Sequence, residues 1–175
     1  MEIRIKEGTL EIRFRVNEDQ SVELVSFSAL KDSKDLPYQP PKNIGGFDAP
    51  FKPHQFLAAH VTGECSTGMH AGKHDAGSLA AQWRYTGHTV EENGDGKLLK
   101  LSVKAADGLA ADYFLQTYTG LNIVRTWATI RNEGGENLGI EYVSSFMYQG
   151  IGKNRRSESY DHLEFHIPQI GRAHV

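Results

Sequence analysis

The sequence contains very little cysteine, no excess of positive charge and no long hydrophobic run. Its single cysteine, Cys65, cannot form a disulfide within the chain, which agrees with a reducing compartment. The start, Met1–Lys6, alternates charged and apolar residues and has no apolar signal-peptide core, and no later apolar stretch is long enough to span a bilayer. We therefore expect a native start, a cytoplasmic location and no membrane partner.

Charge and composition narrow the class of protein further. The net charge of −3 gives no electrostatic footprint for a phosphate backbone, so we expect no nucleic-acid partner. Hydrophobic residues make up 39% of the chain and charged residues 23%, which is typical of globular proteins and excludes a disordered chain. The sequence therefore predicts a folded globular unit.

Apolar residues recur with the period of two that is typical of β-strands. Leu10, Ile12, Phe14 and Val16 alternate with charged residues, which buries one face of a strand and leaves the other in water. No segment has the pattern of a capped amphipathic helix of three turns. We expect an all-β chain, an antiparallel β-sandwich with at least eight strands between Thr9 and Ile167. The strands are predicted at Leu10–Val16, from Val22, and at Phe56–Thr62, Ala81–His88, Leu98–Lys104, Leu109–Tyr118, Asn122–Arg131, Gly139–Tyr148 and His162–Ile167.

Two segments interrupt this pattern. Residues 31–53 hold five of the six prolines and are predicted to be irregular. Residues 60–77 are rich in glycine, histidine and charge, and loops of this composition often carry function. A ligand site is therefore expected in the second segment.

Several motifs along the chain resemble those of the glycoside hydrolase family 36 (GH36) α-galactosidases. Residues 62–64 read Thr-Gly-Glu, and residues 70–77 read His-Ala-Gly-Lys-His-Asp-Ala-Gly. Residues 123–127 read Ile-Val-Arg-Thr-Trp, and residues 139–146 read Gly-Ile-Glu-Tyr-Val-Ser-Ser-Phe. Ile167-Pro168 is similar to the start of the family's Ile-Pro-His-Asn segment. In order along the chain, the resemblance runs from about Phe56 to Pro168.

The resemblance implies a fold, an activity and partners. It places residues 1–168 in a partial N-terminal β-sandwich of the galactose-mutarotase-like supersandwich type, with the catalytic TIM-like barrel missing. The family's retaining hydrolysis uses two carboxylates about 5 Å apart, and both belong to the barrel, so no catalytic residue and no cofactor is assigned here. The parent enzyme would remove terminal α-linked galactose from raffinose- or melibiose-type oligosaccharides, and would form a homo-oligomer.

The resemblance also suggests which residues meet the substrate, because a loop of this domain can reach a sugar pocket in the family's oligomers. Lys73 and Asp75 are the first candidates for substrate binding, followed by His70 and His74. Charged and polar side chains of this kind read sugar hydroxyls. The alternative is a polar loop held by its own hydrogen bonds. The sequence departs from the family at residues 65–69, which leaves specificity beyond galactose open.

Two other classes of function stay open. A metal site could form from Cys65, His70 and His74, with Glu64 as an optional fourth ligand, since the spacing brings together ligands that zinc prefers. A carbohydrate-binding or interaction module without catalysis would need exposed aromatic rings as a stacking platform. Trp83 and Trp127 lie within strand patterns, and we expect both to pack in the core.

Two charged residues are interpreted as structural. Arg125 and Glu141 lie in strands that the pattern makes neighbours. We expect a cross-strand ion pair between them, or exposure to solvent, rather than catalysis.

The last seven residues, 169–175, are interpreted as a tail that is not natural protein. Residues 170–175 read Ile-Gly-Arg-Ala-His-Val, which is one translated frame of a common sequencing adapter. The adapter bases before that frame require a codon ending in AG, and Gln169, as CAG, satisfies this. Natural sequence would then end at Pro168. A sandwich cut there exposes apolar surface and strand edges, so we expect the isolated chain to aggregate or to bind nonspecifically.

Overall fold

The computed structural model of the protein describes residues 1–29, 55–63, 83–105 and 108–147. Within these ranges the chain is all-β and contains no helix, which confirms the predicted fold class. The described residues form antiparallel strands at β1 (Glu2–Glu7), β2 (Leu10–Val16), β3 (Val22–Ser28), β4 (Ala59–Val61), β5 (Arg84–Asn93), β6 (Gly96–Lys104), β7 (Leu109–Tyr118), β8 (Leu121–Asn132) and β9 (Ile140–Val143).

Two main sheets pack face to face around one core. The first has the strand order β1-β2-β3, the second has the order β5-β6-β7-β8, and β4 pairs with β9 in a two-stranded ribbon. Neither main sheet is closed, so the described architecture is an open antiparallel β-sandwich. Both main sheets and the ribbon contribute to the core, which includes Ile5, Ile12, Phe14, Leu24, Phe56, Leu57, Leu99, Leu101, Leu109, Tyr113 and Leu115.

An aromatic cluster occupies the interior between the sheets. The rings of Phe14 and Phe56 meet edge to face at 5.8 Å, and the ring of Tyr113 lies 5.1 Å from that of Phe56. Burial of a side chain of this size contributes about 1.5–3 kcal/mol, and edge-to-face pairs add about 0.5–1.5 kcal/mol. Burial also raises the pKa of the Tyr113 phenol, because the charged form loses its hydration. The cluster ties β2, β7 and the chain before β4 into one unit.

The predicted number of strands is confirmed, with differences at the start, at β5 and in the ribbon, where β4 and β9 are shorter than the predicted Phe56–Thr62 and Gly139–Tyr148. Eight strands, β2 to β9, lie between Leu10 and Val143. The sequence prediction omitted β1, although Ile3 and Ile5 alternate with charged residues and are buried. It also began β5 too early and ended it too soon, because β5 pairs with β6 as far as Asn93. Residues 31–53 and His162–Ile167 lie outside the described residues.

The turn between β5 and β6 depends on a glycine. Gly96 is the last residue of the Asn-Gly-Asp-Gly segment 93–96, and a Cβ placed on it would overlap the carbonyl oxygen of Thr117. Any other residue would push β7 away from the start of β6. Asn93 completes the turn, since its side-chain oxygen accepts hydrogen bonds from the N–H groups of Asp95 and Gly96.

Candidate functional site

All four predicted substrate-binding residues, Lys73, Asp75, His70 and His74, lie outside the described residues, as do Glu64 and Cys65. Their assignment therefore stays a prediction. The structure does describe the two ends of the segment that carries them. One end follows β4, and the other is Trp83, which is 3% exposed in the core. The segment thus begins and ends on the body of the sandwich.

The β4–β9 ribbon fixes the first end of this segment. The backbone N–H of Thr62 donates to the carbonyl of Gly139 at 2.8 Å. At the other end of the ribbon, Ala58 and Ser144 exchange two hydrogen bonds of 2.8 Å, one through the backbone and one through the serine hydroxyl. A Cβ on Gly139 would lie 2.6 Å from the side-chain oxygen of Thr62, so this close approach needs glycine. Two of the motif segments, 62–64 and 139–146, therefore meet in space.

A histidine and a glutamate face each other on this ribbon. His60 is 7% exposed, and its Nδ1 lies 3.1 Å from an Oε of Glu141. An ionised carboxylate at this distance favours the tautomer with its proton on Nδ1 and orients the ring. This geometry can position an imidazole, but a single histidine–glutamate contact gives no basis for a catalytic assignment.

The proposed ion pair between Arg125 and Glu141 is wrong. Arg125 lies in β8 of the four-stranded sheet, whereas Glu141 lies in β9, which pairs with β4. The alternative of solvent exposure agrees with the structure, because both residues are exposed. The sequence order of β8 and β9 suggested neighbours, but the chain changes sheets between them.

A polar cluster lies on the outer face of the four-stranded sheet, around Asp112 of β7. Asp112 is 6% exposed, although no described element covers this face. Its carboxylate accepts hydrogen bonds from Ser102 at 2.6 Å and from Arg131 at 2.5 Å, and the ammonium group of Lys100 lies 3.3 Å away. Long side chains from β6 and β8 therefore form the cover over β7.

Opposing effects act on the ionisation of Asp112. Burial alone would raise the pKa of its carboxyl group, but the hydrogen bonds from Ser102, Arg131 and Lys100, together with the charge of Arg131, outweigh burial and lower the pKa. The same contact raises the pKa of Arg131. Asp112 is therefore held as a carboxylate, and its lone pairs are already committed to three donors.

An aromatic stack stands beside this cluster. Trp127 of β8 lies directly across from Phe114 of β7, and the two rings are stacked with centroids 5.1 Å apart and planes 8° apart. The guanidinium carbon of Arg125 lies 5.3 Å from the centroid of Trp127. Trp83 packs in the core as predicted, but the placement of Trp127 in the core is wrong, because it shares the outer face with Arg125 and Arg131.

An open cleft lies at the start of the chain. It has a volume of about 720 Å³, and its lining includes Met1, Arg15, Glu18 and Tyr85. The N-terminal amine is tied to the carbonyl of Val16 at 2.9 Å. None of the described lining residues belongs to the motif segments.

The described ranges also bear on metals and membranes. They contain no group of three or more histidine, cysteine, aspartate or glutamate side chains that could hold a metal ion. They contain no helix long and apolar enough to cross a membrane. The predicted metal alternative at Cys65, His70 and His74 falls in the part of the chain that is not described, so it stays a prediction.

Comparison with known proteins gives a match in structure and none in sequence. The sequence matches no protein-family model, and no curated protein matches it. The GH36 α-galactosidase AgaB from Geobacillus stearothermophilus matches with a TM-score of 0.50 and 12% identity, over 78% of this chain and 22% of that chain. At this identity the likeness to AgaB concerns the fold alone.

Structures of a second enzyme from the same organism are also similar. AgaA, another GH36 α-galactosidase, was solved in complex with 1-deoxygalactonojirimycin and with raffinose, and each complex gives a TM-score of 0.49 and 12% identity over 79% of this chain. This chain covers 23% of each of those chains. It therefore spans less than a quarter of the length of the solved enzymes.

Sequence reasoning missed both features of the outer face, although a signal was present. Asp112, Phe114 and Gln116 alternate within the apolar strand β7, and Arg125, Trp127, Thr129 and Arg131 alternate within β8. Residues two apart share a face, so Trp127 belongs with the arginines and not with Val124 and Ala128. Strict use of this parity would have found the aromatic stack.

Proposed function

We propose that this chain is the N-terminal, non-catalytic β-sandwich of a cytoplasmic, retaining α-galactosidase. The parent enzyme would hydrolyse terminal α-linked galactose in raffinose- or melibiose-type oligosaccharides and assemble as a homo-oligomer. The hydrolysis would take place in a barrel domain outside these residues. The observation that carries the proposal is that a chain with GH36-like motifs has a fold similar to that of AgaB.

The location of the motifs adds support. Residues 123–127 lie within β8, and residues 139–146 include β9. Residues 62–63 form the turn that follows β4, and the backbone of Thr62 is hydrogen-bonded to Gly139. The segment 139–146 therefore fixes the chain where the polar loop begins, and that loop is the part that the resemblance places near the sugar. The sequence order of the motif segments and their roles in the fold are mutually consistent.

The parent gene product provides the decisive test. The coding sequence should be extended beyond codon 168 from its source DNA, and the whole product assayed with melibiose and raffinose. We expect release of galactose with the α-anomer formed first, because a double displacement retains configuration. A continuation without a barrel, or a full product inactive on α-galactosides, would overturn the proposal. The chain of 175 residues should itself be inactive.

The loop assignment has a separate test in the same full-length enzyme. A charged side chain that binds a sugar hydroxyl contributes about 1.5–3 kcal/mol. Lys73→Ala and Asp75→Ala should therefore lower kcat/KM by roughly tenfold to a hundredfold while thermal stability stays nearly unchanged. A loss of stability with normal kinetics would support the loop held by its own hydrogen bonds. Activity that falls only with Cys65→Ser and on chelation would favour the metal alternative.

One observation favours a second candidate, a carbohydrate-binding module on the outer face. Trp127 is not in the core, and donors and acceptors of the Asp112 cluster flank it. Phe114 covers one side of the indole and Arg125 approaches it, so a sugar ring could stack only if Arg125 moved. Arg125→Ala should then strengthen retention on an α-galactoside resin, and Trp127→Ala should abolish it. If neither change affects retention, the outer face is not a sugar-binding site.

A further inference from the structure

The long outer edge of β8 carries an inference that goes beyond the proposed function and does not depend on it. β8 spans Leu121–Asn132 and is the last strand of its sheet, and no described residue pairs with its other edge. Its register with β7 is regular from Val124 to Asn132, and the one irregularity lies near the hairpin turn. A regular edge of this length is a template for another strand.

The backbone groups that are free on this edge can be identified. The N–H of Glu133 donates to the carbonyl of Gly108 at 2.9 Å, so Glu133 and Gly108 form a hydrogen-bonded pair. Such pairs alternate along antiparallel strands, which places Arg131, Thr129 and Trp127 in bonding positions toward β7. The N–H and C=O groups of the residues between them therefore point away from the sheet, at Val124, Thr126, Ala128 and Ile130.

The usual protections of an edge strand are weak on β8. Natural edges are guarded by lysine, proline or bulges, and β8 contains neither lysine nor proline. Its two arginines turn back onto the sheet, since Arg131 donates to Asp112 and Arg125 lies against Trp127. On the inner face, Val124, Ala128 and Ile130 are only partly buried at the margin of the core. A further strand would cover them.

Two copies of β8 can pair with each other about Trp127, and this register identifies a second copy of the chain as the occupant of the edge. Antiparallel pairing of two copies about this residue would place Val124 opposite Ile130 and Thr126 opposite Ala128, with each pair occurring twice. On the outer face it would place Arg125 opposite Thr129, and Trp127 opposite Trp127. Val124 then faces Ile130 on the inner face, Ile123 faces Arg131 at the outer margins, and no like charges are opposed.

Neighbouring registers fit less well. Outward-pointing backbone groups occur at every second residue, so the centre of the pairing could also lie at Ala128. Arg125 would then lie opposite Arg131 of the second copy. A shift to Thr126 would set Asn122 against Ile130 on the face that continues the core. Pairing about Thr129 opposes no like charges, but it leaves the half of the strand before Thr126 unpaired. The register about Trp127 pairs the regular edge from Val124 to Ile130 on both sides of its centre and opposes no like charges.

We propose that a second copy of this chain pairs with it through β8, antiparallel and centred on Trp127, so that two four-stranded sheets become one sheet across a two-fold axis. Both copies use the same edge, which makes the contact closed and self-complementary. The contact is the β8 edge of the sandwich, and it uses none of the predicted substrate-binding residues.

The first test is the oligomeric state of the 175-residue chain by sedimentation velocity over a wide range of concentrations. We expect a monomer–dimer equilibrium, which is a specific association and replaces the nonspecific one that a cut sandwich predicts. Ala128→Pro removes an outward N–H and leaves the bonds to β7 intact, so it should raise the dimer Kd roughly fivefold to a hundredfold from two lost hydrogen bonds. Ala128→Ser keeps the N–H and is the matched control. A chain that stays monomeric at every concentration would overturn the proposal.

Thr129 provides a second test that does not depend on a proline. It is exposed, and in the proposed register it lies opposite Arg125 of the second copy. Thr129→Glu should lower the Kd and Thr129→Arg should raise it, each by roughly twofold to thirtyfold for two cross-strand charge pairs. Within one copy the signs are reversed, because Thr129 lies across from Asp112. If the dimer Kd changes in the direction expected from the stability of the monomer, or if neither substitution changes it, the proposed register is contradicted.

Cross-linking tests the register directly. In a Cys65→Ser background, the double variant Arg125→Cys/Thr129→Cys should form intermolecular disulfides on mild oxidation, because the two positions face each other as a non-hydrogen-bonded pair. Thr129→Cys alone should not cross-link. If the single variant cross-links as readily as the double variant, the copies pair about Thr129 and the proposed centre is wrong.

Discussion

The outer faces of the two main sheets differ, although the sequence alternates in the same way on both. On the three-stranded sheet the outer face carries charges that pair across strands, such as Arg4 with Glu11 and, more loosely, Arg15 with Glu23 at 3.9 Å. On the four-stranded sheet it carries the buried Asp112 and the stack of Phe114 on Trp127. Alternation shows which residues share a face, but it does not show how densely that face is covered.

The difference comes from the side chains on the neighbouring strands. Around β7, the long side chains of Lys100 and Arg131, at positions diagonal to Asp112, fold inward over the strand because Asp112 offers a charge to bind. This cover is one side chain thick, so Asp112 is hidden from solvent without being deep in the protein. The inner faces, by contrast, are covered by a whole second sheet. The two kinds of burial should respond differently to mutation.

The largest effect is expected for a tryptophan on the inner side. Trp83→Ala should lower the free energy of unfolding by about 3–5 kcal/mol, because it opens a cavity in the core. Urea denaturation followed by circular dichroism measures this. Trp83→Phe keeps most of the buried ring and should cost much less. Equal, small losses in both variants would show that Trp83 lies outside the cooperative core.

A smaller effect is expected for the buried carboxylate of the outer face. Asp112→Ala removes charge-assisted hydrogen bonds with Ser102 and Arg131 and should cost about 2 kcal/mol in the free energy of unfolding. The matched control on the other sheet is Glu23→Ala, which removes a surface pair and should cost about 0.5 kcal/mol. If the two changes cost the same, the polar cover over β7 contributes no more than an exposed ion pair.

The same carboxylate predicts a dependence of stability on acid. The pKa of Asp112 is lower in the folded state than in the unfolded state, so its contribution is complete above the unfolded value of about 3.9 and is lost as pH falls through the folded value. Urea midpoints measured between about pH 5 and pH 2 should fall less steeply for Asp112→Asn than for the unchanged chain.

Glu133 is the control for this titration. Hydrogen bonds from Lys104 and then Arg131 lower the pKa of its carboxyl group, but this group is exposed. Glu133→Gln should therefore leave most of the acid dependence in place. If the acid dependence instead disappears with Glu133→Gln and persists with Asp112→Asn, then Glu133 and not Asp112 causes it.

Much of the fold could be predicted from the sequence because period-two patterns depend on local chemistry. The strand β2 appears as predicted, at Leu10–Val16, and the turn before Gly96 follows from its glycines and asparagine. Sheet membership could not be predicted in the same way. Glu141 pairs with His60, far away in sequence, and no local signal reports that β9 leaves the sheet of β8. The candidate loop residues, Lys73 and Asp75, depend on resemblance alone.

A smaller effect still is expected for the tryptophan on the outer face. Its comparison with Trp83 distinguishes burial under neighbouring side chains from burial under a second sheet. Trp127→Ala removes a stack on Phe114 and a contact with Arg125 but opens no cavity, so it should cost about 1 kcal/mol at low protein concentration, where the copies are apart. Acrylamide should quench the fluorescence of Trp127 more strongly than that of Trp83, measured in single-tryptophan variants made with phenylalanine. Equal quenching of both residues would mean that a second layer covers the outer face, and the difference between the two faces would then disappear.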